Sequence, residues 1–166
     1  DAEQDFYLYV PAGTVIIPLS IQIAMEDTGT ILVTDTLAGY SSNGDSAVTG
    51  TALTVRNFKT LGSSASNCTA TAVVTSGGAT HLGGTDYLEF WRPYAGLVPD
   101  HLNAAAAVNM DGDGGPNGAS WSAKTSIAPV IGSTGTDCAL SVFAAFQAGI
   151  GYITVIWAEY DAADFS

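Results

Sequence analysis

Basic side chains are nearly missing from this sequence. Arg56, Lys59, Arg92 and Lys124 are the four in 166 residues, against 16 Asp and Glu, for a formal net charge of −12. An excess of that size repels phosphate backbones and anionic headgroups through its long-range field, so direct nucleic-acid binding and adsorption to a membrane surface are not expected. The same acidity also reads simply as solubility. Histidine is as scarce, with His81 and His101 the pair. A nucleophilic triad needs a histidine between nucleophile and carboxylate, and no serine here stands in a G-x-S-x-G elbow. Neither histidine has a second ligand at zinc spacing. His81 lies among glycines and reads as a solvated turn residue; His101 follows Asp100 at an expected helix start. No catalytic residue is assigned, and an enzyme is not expected.

Long apolar runs are absent too. No stretch reaches the roughly 18 apolar residues that a membrane helix needs, and DAEQD at positions 1–5 lacks the layout of a signal peptide. Cysteine is limited to Cys68 and Cys138. One bridge between them would close a loop of about 70 residues, worth on the order of 4 kcal/mol in the chain-entropy model. Two buried free thiols suit the composition equally well.

What the chain does hold is apolar or small. Hydrophobic residues make up 47% and charged ones 12%, which is enough apolar surface to offset the entropy of ordering, so a globular chain is expected. A length of 166 residues fits one domain, 1–166. Nineteen glycines and little helical periodicity point to many short strands joined by turns.

Phe6 to Val10 reads as a strand, with a turn at Pro11-Ala12-Gly13. The long run PAGTVIIPLSIQIAME, residues 11–26, follows. Within it Leu19, Ile21, Ile23 and Met25 share one face and Ser20, Gln22, Ala24 and Glu26 the other. Pro18 cannot donate to a ladder, so a bulge or an edge position is expected there, or a bend by which the two halves serve two sheets. Further strands are expected over 31–36, 49–58, 68–75, 86–92, 121–130, 137–148 and 151–160, with a polar loop over 37–48. Asp100 caps at most one short helix near 100–107. The fold class is therefore all-β, a single-domain antiparallel β-sandwich of about eight strands. If the closing run GYITVIWAEY pairs with the second half of the long one, the two acidic termini are expected to meet at one edge.

Three constellations carry candidate chemistry. Asn109, Asp111, Asp113 and Asn117 lie in NMDGDGGPN, where oxygen-bearing side chains on a tight glycine turn converge on one hard cation, which makes calcium the one cofactor candidate. No Glu closes the loop at its twelfth position, and an Asx-rich turn bonding its own backbone accounts for the same residues. The second is aromatic. Alternation over 86–92 puts Tyr87, Glu89 and Trp91 on one face and Leu88, Phe90 and Arg92 on the other. Exposed rings stack on sugars, so Tyr87, Trp91 and Trp121 are candidate glycan-binding residues, with core packing the competing reading. The third is carboxylate pairing, Asp86 with Glu89 and Glu159 with Asp161, which matches a glycosidase only where a cleft of the right width holds both.

Opening on PAGTVIIPLSIQIAME, closing on GYITVIWAEYDA, with small Gly-rich loops and few charges within strands, the chain resembles the jelly-roll structural proteins of viruses, including bacteriophage-type shell and decoration subunits. The resemblance implies a jelly-roll-like sandwich that associates with itself and with other shell subunits as a capsid or decoration protein, a homo-oligomer located in the virion. Loops such as 38–50 and 112–120, short of charge, agree with surface buried in an assembly. The alternative is an extracellular carbohydrate-binding β-sandwich module, with a glycan as partner.

Overall fold

A computed structural model describes residues 4–25, 32–58, 65–77, 86–97, 118–145 and 151–165. In chain order the strands are β1 (Phe6–Val10), β2 (Thr14–Met25), β3 (Leu32–Ser41), β4 (Thr49–Leu53), β5 (Thr69–Ser76), β6 (Tyr87–Trp91), β7 (Tyr94–Leu97), β8 (Gly118–Ser122), β9 (Ile131–Ser133), β10 (Cys138–Ala145) and β11 (Gly151–Asp161). A 3₁₀ turn over Ala162–Phe165 follows. The expected all-β antiparallel sandwich is what the chain forms, with eleven strands among the described residues rather than about eight. The helix expected near 100–107 lies outside the described residues.

One sheet has seven strands in the order β4-β5-β1-β10-β3-β6, with β7 also on β3; the other has four, β11-β2-β8, with β9 also on β2. Phe6, Leu8, Val10, Ala38, Leu140 and Val142 of the first meet Ile16, Ile21, Ile23, Trp121 and Ile131 of the second in one buried core. Each fully buried Leu, Ile or Val there contributes about 1.5–3 kcal/mol relative to leaving it exposed.

The long strand β2 shows how one residue shapes a sheet. Its pairing with β11 runs from Thr14↔Asp161 to Met25↔Gly151, and it slips at Pro18, where Trp157 faces Pro18 and Ile156 faces Ser20. Leu19 is the extra residue of a bulge, turned outward and exposed. Ile16 before the bulge and Ile21 and Ile23 after it all point inward, so the bulge resets the alternation by one residue. On its other flank β2 is paired by β9 over Thr14–Ile16 and by β8 over Ser20–Ala24. Pro18 stands in the gap between them, where no N–H is needed. The expected bulge is therefore present, but β2 stays in one sheet along its whole length and does not serve two.

The strand expected over 31–36 runs on to Ser41, into the segment read as loop, because β10 pairs it residue by residue from Ala145↔Asp35 to Ala139↔Ser41. In the opposite sense, the strand expected over 49–58 stops at Leu53. The described ends of the chain, Gln4 and Phe165, do not lie together. Ala162 N–H donates to the Gly13 carbonyl at 3.0 Å, which fixes the C-terminal turn beyond the Val10 end of β1. Gln4 lies past the other end of that strand, whose five residues span about 13 Å. Pairing of the closing run with the second half of the long one was expected to bring the ends together; that pairing forms, but β1, which precedes the long strand, lies in the other sheet.

Candidate functional site

Asn109, Asp111, Asp113 and Asn117, the calcium candidates, lie outside the described residues, as do His81 and His101. Among the described residues no group of three His, Cys, Asp or Glu side chains is placed to hold a metal.

Cys68 and Cys138 are buried free thiols. Cys138 pairs with Val10 on one flank of β1, and on the other flank Thr69 pairs with Tyr9, which sets Cys68 beside Val10 from the opposite side. Two strand spacings separate them, about 10 Å, whereas a bridge requires Cα atoms within about 7 Å. Burial, with the Glu159 carboxylate adding to it, pushes the Cys68 thiol up to about 12, and burial followed by Asp137 raises Cys138. Neither supplies a thiolate near neutral pH.

The aromatic candidates separate. Ser41 pairs with Tyr87, Tyr40 with Leu88 and Gly39 with Glu89, but Ala38 pairs with Trp91. Phe90 is thus a bulge that the alternating pattern did not anticipate, and it transfers Trp91 from the Tyr87 face to the interior, where Trp91 and Phe90 both pack on the core. Trp121 is 4% exposed, its ring edge-on to Phe90 with centroids 5.2 Å apart. Tyr87 stays on the far side of the seven-stranded sheet and meets Phe143 at 6.3 Å. Tyr87, Trp91 and Trp121 therefore form no common platform for a sugar ring. Gly39 permits the Tyr87 placement, since a Cβ there would fall inside the tyrosine ring.

The carboxylate pairs are committed locally. Arg92 donates Nε and an Nη N–H to the two Glu89 oxygens, each at 2.7 Å, and holds that carboxyl below the usual glutamate range. Glu159 accepts from the Ser66 hydroxyl at 2.6 Å and from the Asn67 N–H at 2.8 Å, fastening the segment before β5 to β11. Beside Glu89 a cleft of about 270 Å³ opens between β6 and the 127–129 segment, lined by Tyr40, Leu88, Phe90, Ile127 and Pro129. Its lining is apolar surface beside a carboxylate held by Arg92.

Large apolar side chains are exposed in three separate places. Leu88 and Ile127, the latter 96% exposed, line this cleft, and exposed Val130 follows its Pro129 wall; Leu53, Val73 and Phe58 (82%) mark the β4–β5 end; Leu19, Tyr152 and Tyr160 lie on the four-stranded sheet. The third place is most of a sheet face, with Val15 at its Tyr160 end already buried. Register sets its outward rows as Tyr152–Ala24–Gly118, Thr154–Gln22–Ser120, Ile156–Ser20–Ser122, Ala158–Ile17 and Tyr160–Val15–Gly132. No charged side chain occurs in them. Along β11 the outer edge carries no further strand among the described residues.

No protein-family model, curated protein or solved structure matches this chain.

Proposed function

We propose that this chain is a structural, non-enzymatic subunit of a viral particle or a similar assembly, a shell or shell-decorating β-sandwich that works through contacts with its own copies and with neighbouring subunits. The observation that carries the reading is the three separated apolar exposures around a chain of 166 residues. A monomer disperses its exposed apolar groups, whereas a subunit in a closed lattice needs more than one contact surface, each usable at the same time. The opening and closing strands that give the chain its likeness to viral jelly-roll proteins form one continuous ladder, in keeping with that reading.

Light scattering of the purified chain across a concentration series, at low and at high salt, tests it. Oligomers that grow with concentration, and grow further as salt screens the −12 charge, are the expected result. A strict monomer up to about 1 mM at high ionic strength, where screening leaves little repulsion, would count decisively against the reading.

A further inference from the structure

We infer that the outward face of the four-stranded sheet is a contact for a second copy of this chain, packed sheet against sheet across a two-fold axis. The inference rests on the assembly reading above and assigns it a surface and a symmetry. Charge selects the occupant. Each copy carries −12, so two copies approach at lowest cost where neither presents a carboxylate, and the rows through Gln22, Ser20, Thr154 and Ile156 present none. A basic partner would instead be drawn to the acidic remainder of the surface.

The composition is that of the centre of an interface. Charges are depleted, tyrosines stand at both ends, with Tyr152 65% exposed, and short Ser, Ala and Gly side chains between them let a second sheet approach to the usual spacing of about 10 Å. The centre of the seven-stranded sheet offers no equivalent, because the outward side chains Tyr7, Leu37, Ser41, Ser141 and Phe143 of β1, β3 and β10 are already buried.

Size sets the strength. Roughly a dozen residues bury on the order of 400–500 Å² per copy, about half of the standard interface. The isolated pair is therefore weak, and it becomes firm only where other contacts of the same subunit engage together.

Sedimentation equilibrium at about 0.05 M and about 0.5 M NaCl provides the test, since the screening length falls severalfold between them. Wild-type chain is expected to associate more tightly at the higher salt. Gln22→Glu, nearly isosteric and on an exposed position, is expected to weaken association at least tenfold, and Ile156→Glu to do the same. Thr136→Glu, in the exposed 134–136 turn outside all three apolar places, adds the same charge elsewhere and is expected to leave association near the wild-type level. Circular dichroism of all variants keeps loss of fold separate from loss of contact. Association that persists in both Gln22→Glu and Ile156→Glu, or falls equally in Thr136→Glu, overturns this contact while leaving the assembly reading in place. No association at either salt overturns both.

Discussion

On the central strands β1, β3 and β10 of the seven-stranded sheet, side chains that point away from the sandwich interior are mostly withdrawn from water. Tyr7 and Phe143 are 1% exposed, and Tyr7, Val74 and Ala139 form a second small core with Tyr9 and Val48 against it. The chain supplies this cover itself: Asp45 donates its N–H to the Tyr7 hydroxyl at 2.7 Å, and the Tyr87 ring lies across Gly39 to reach Phe143. On the four-stranded sheet the corresponding positions Gln22, Ala24, Tyr152 and Thr154 are exposed. The same pleated surface is thus finished from within on one side and left open on the other. A buried outward residue at the centre of the first sheet, such as Phe143, belongs to stability, and an exposed one on the second, such as Tyr152, is open to the contact inferred above.

Substitution of outward residues breaks this comparison most directly. Phe143→Ala is expected to cost about 3–5 kcal/mol, as for a core phenylalanine, although Phe143 points away from the main interior. Thr154→Ala, its counterpart on the other sheet, is expected to stay within about 0.5 kcal/mol. Urea unfolding of the two measures the difference, and similar losses would erase the distinction between the sheets.

Two tyrosines with buried hydroxyls sharpen it at a finer level. Tyr7 accepts the Asp45 N–H, whereas no partner among the described residues reaches the Tyr87 hydroxyl. Tyr7→Phe is expected to cost about 1–2 kcal/mol at neutral pH by leaving that donor unpaired, and Tyr87→Phe to be neutral or slightly stabilising. Burial, opposed by the hydrogen bond from Asp45, pushes the Tyr7 hydroxyl from 10.0 up to about 12, and burial raises Tyr87 as well. A folded-state value above the unfolded one means that the folded chain holds its proton longer. That contribution to stability is complete below pH 10 and is lost as pH rises toward 12. In Tyr7→Phe the decline in melting temperature over this window is expected to be shallower than in the wild type.

The smallest expected effect lies in β5. Val73 has φ of +48° on an exposed position, a left-handed backbone that a β-branched residue adopts at a cost. Its N–H donates to the Asp5 carbonyl at 3.0 Å, which holds the kink in place. Val73→Asn is expected to gain about 0.5–1 kcal/mol, since asparagine tolerates that conformation. A lower melting temperature would show that the Val73 side chain makes contacts that outweigh the strain.

Much of the architecture was legible because it follows from period and punctuation. Phe6 to Val10, the closing strand and the bulge at Pro18 are set by alternation and by a missing N–H, both local properties. What was not legible depends on partners distant in sequence. Phe90 bulges because of the register β6 takes on β3, and that shift moves Trp91 to the other face and dissolves the expected sugar platform. β3 runs to Ser41 because β10 pairs it there, although Ala38-Gly39-Tyr40 has little strand propensity of its own. The isolated Gly39 inside a strand was the available signal that another ring comes close. Alternation alone could not show which outward face is covered, because the cover on Tyr7 comes from residues 38 and more positions away.

Footprinting of tyrosine side chains over a concentration series at high salt tests the account most directly. As oligomers form, Tyr152 and Tyr160 on the open face are expected to lose reactivity, while Tyr7, buried throughout, stays unreactive at every concentration. Oligomers in which Tyr152 and Tyr160 keep their full reactivity would contradict the claim that the four-stranded sheet is the side this chain leaves for its copies.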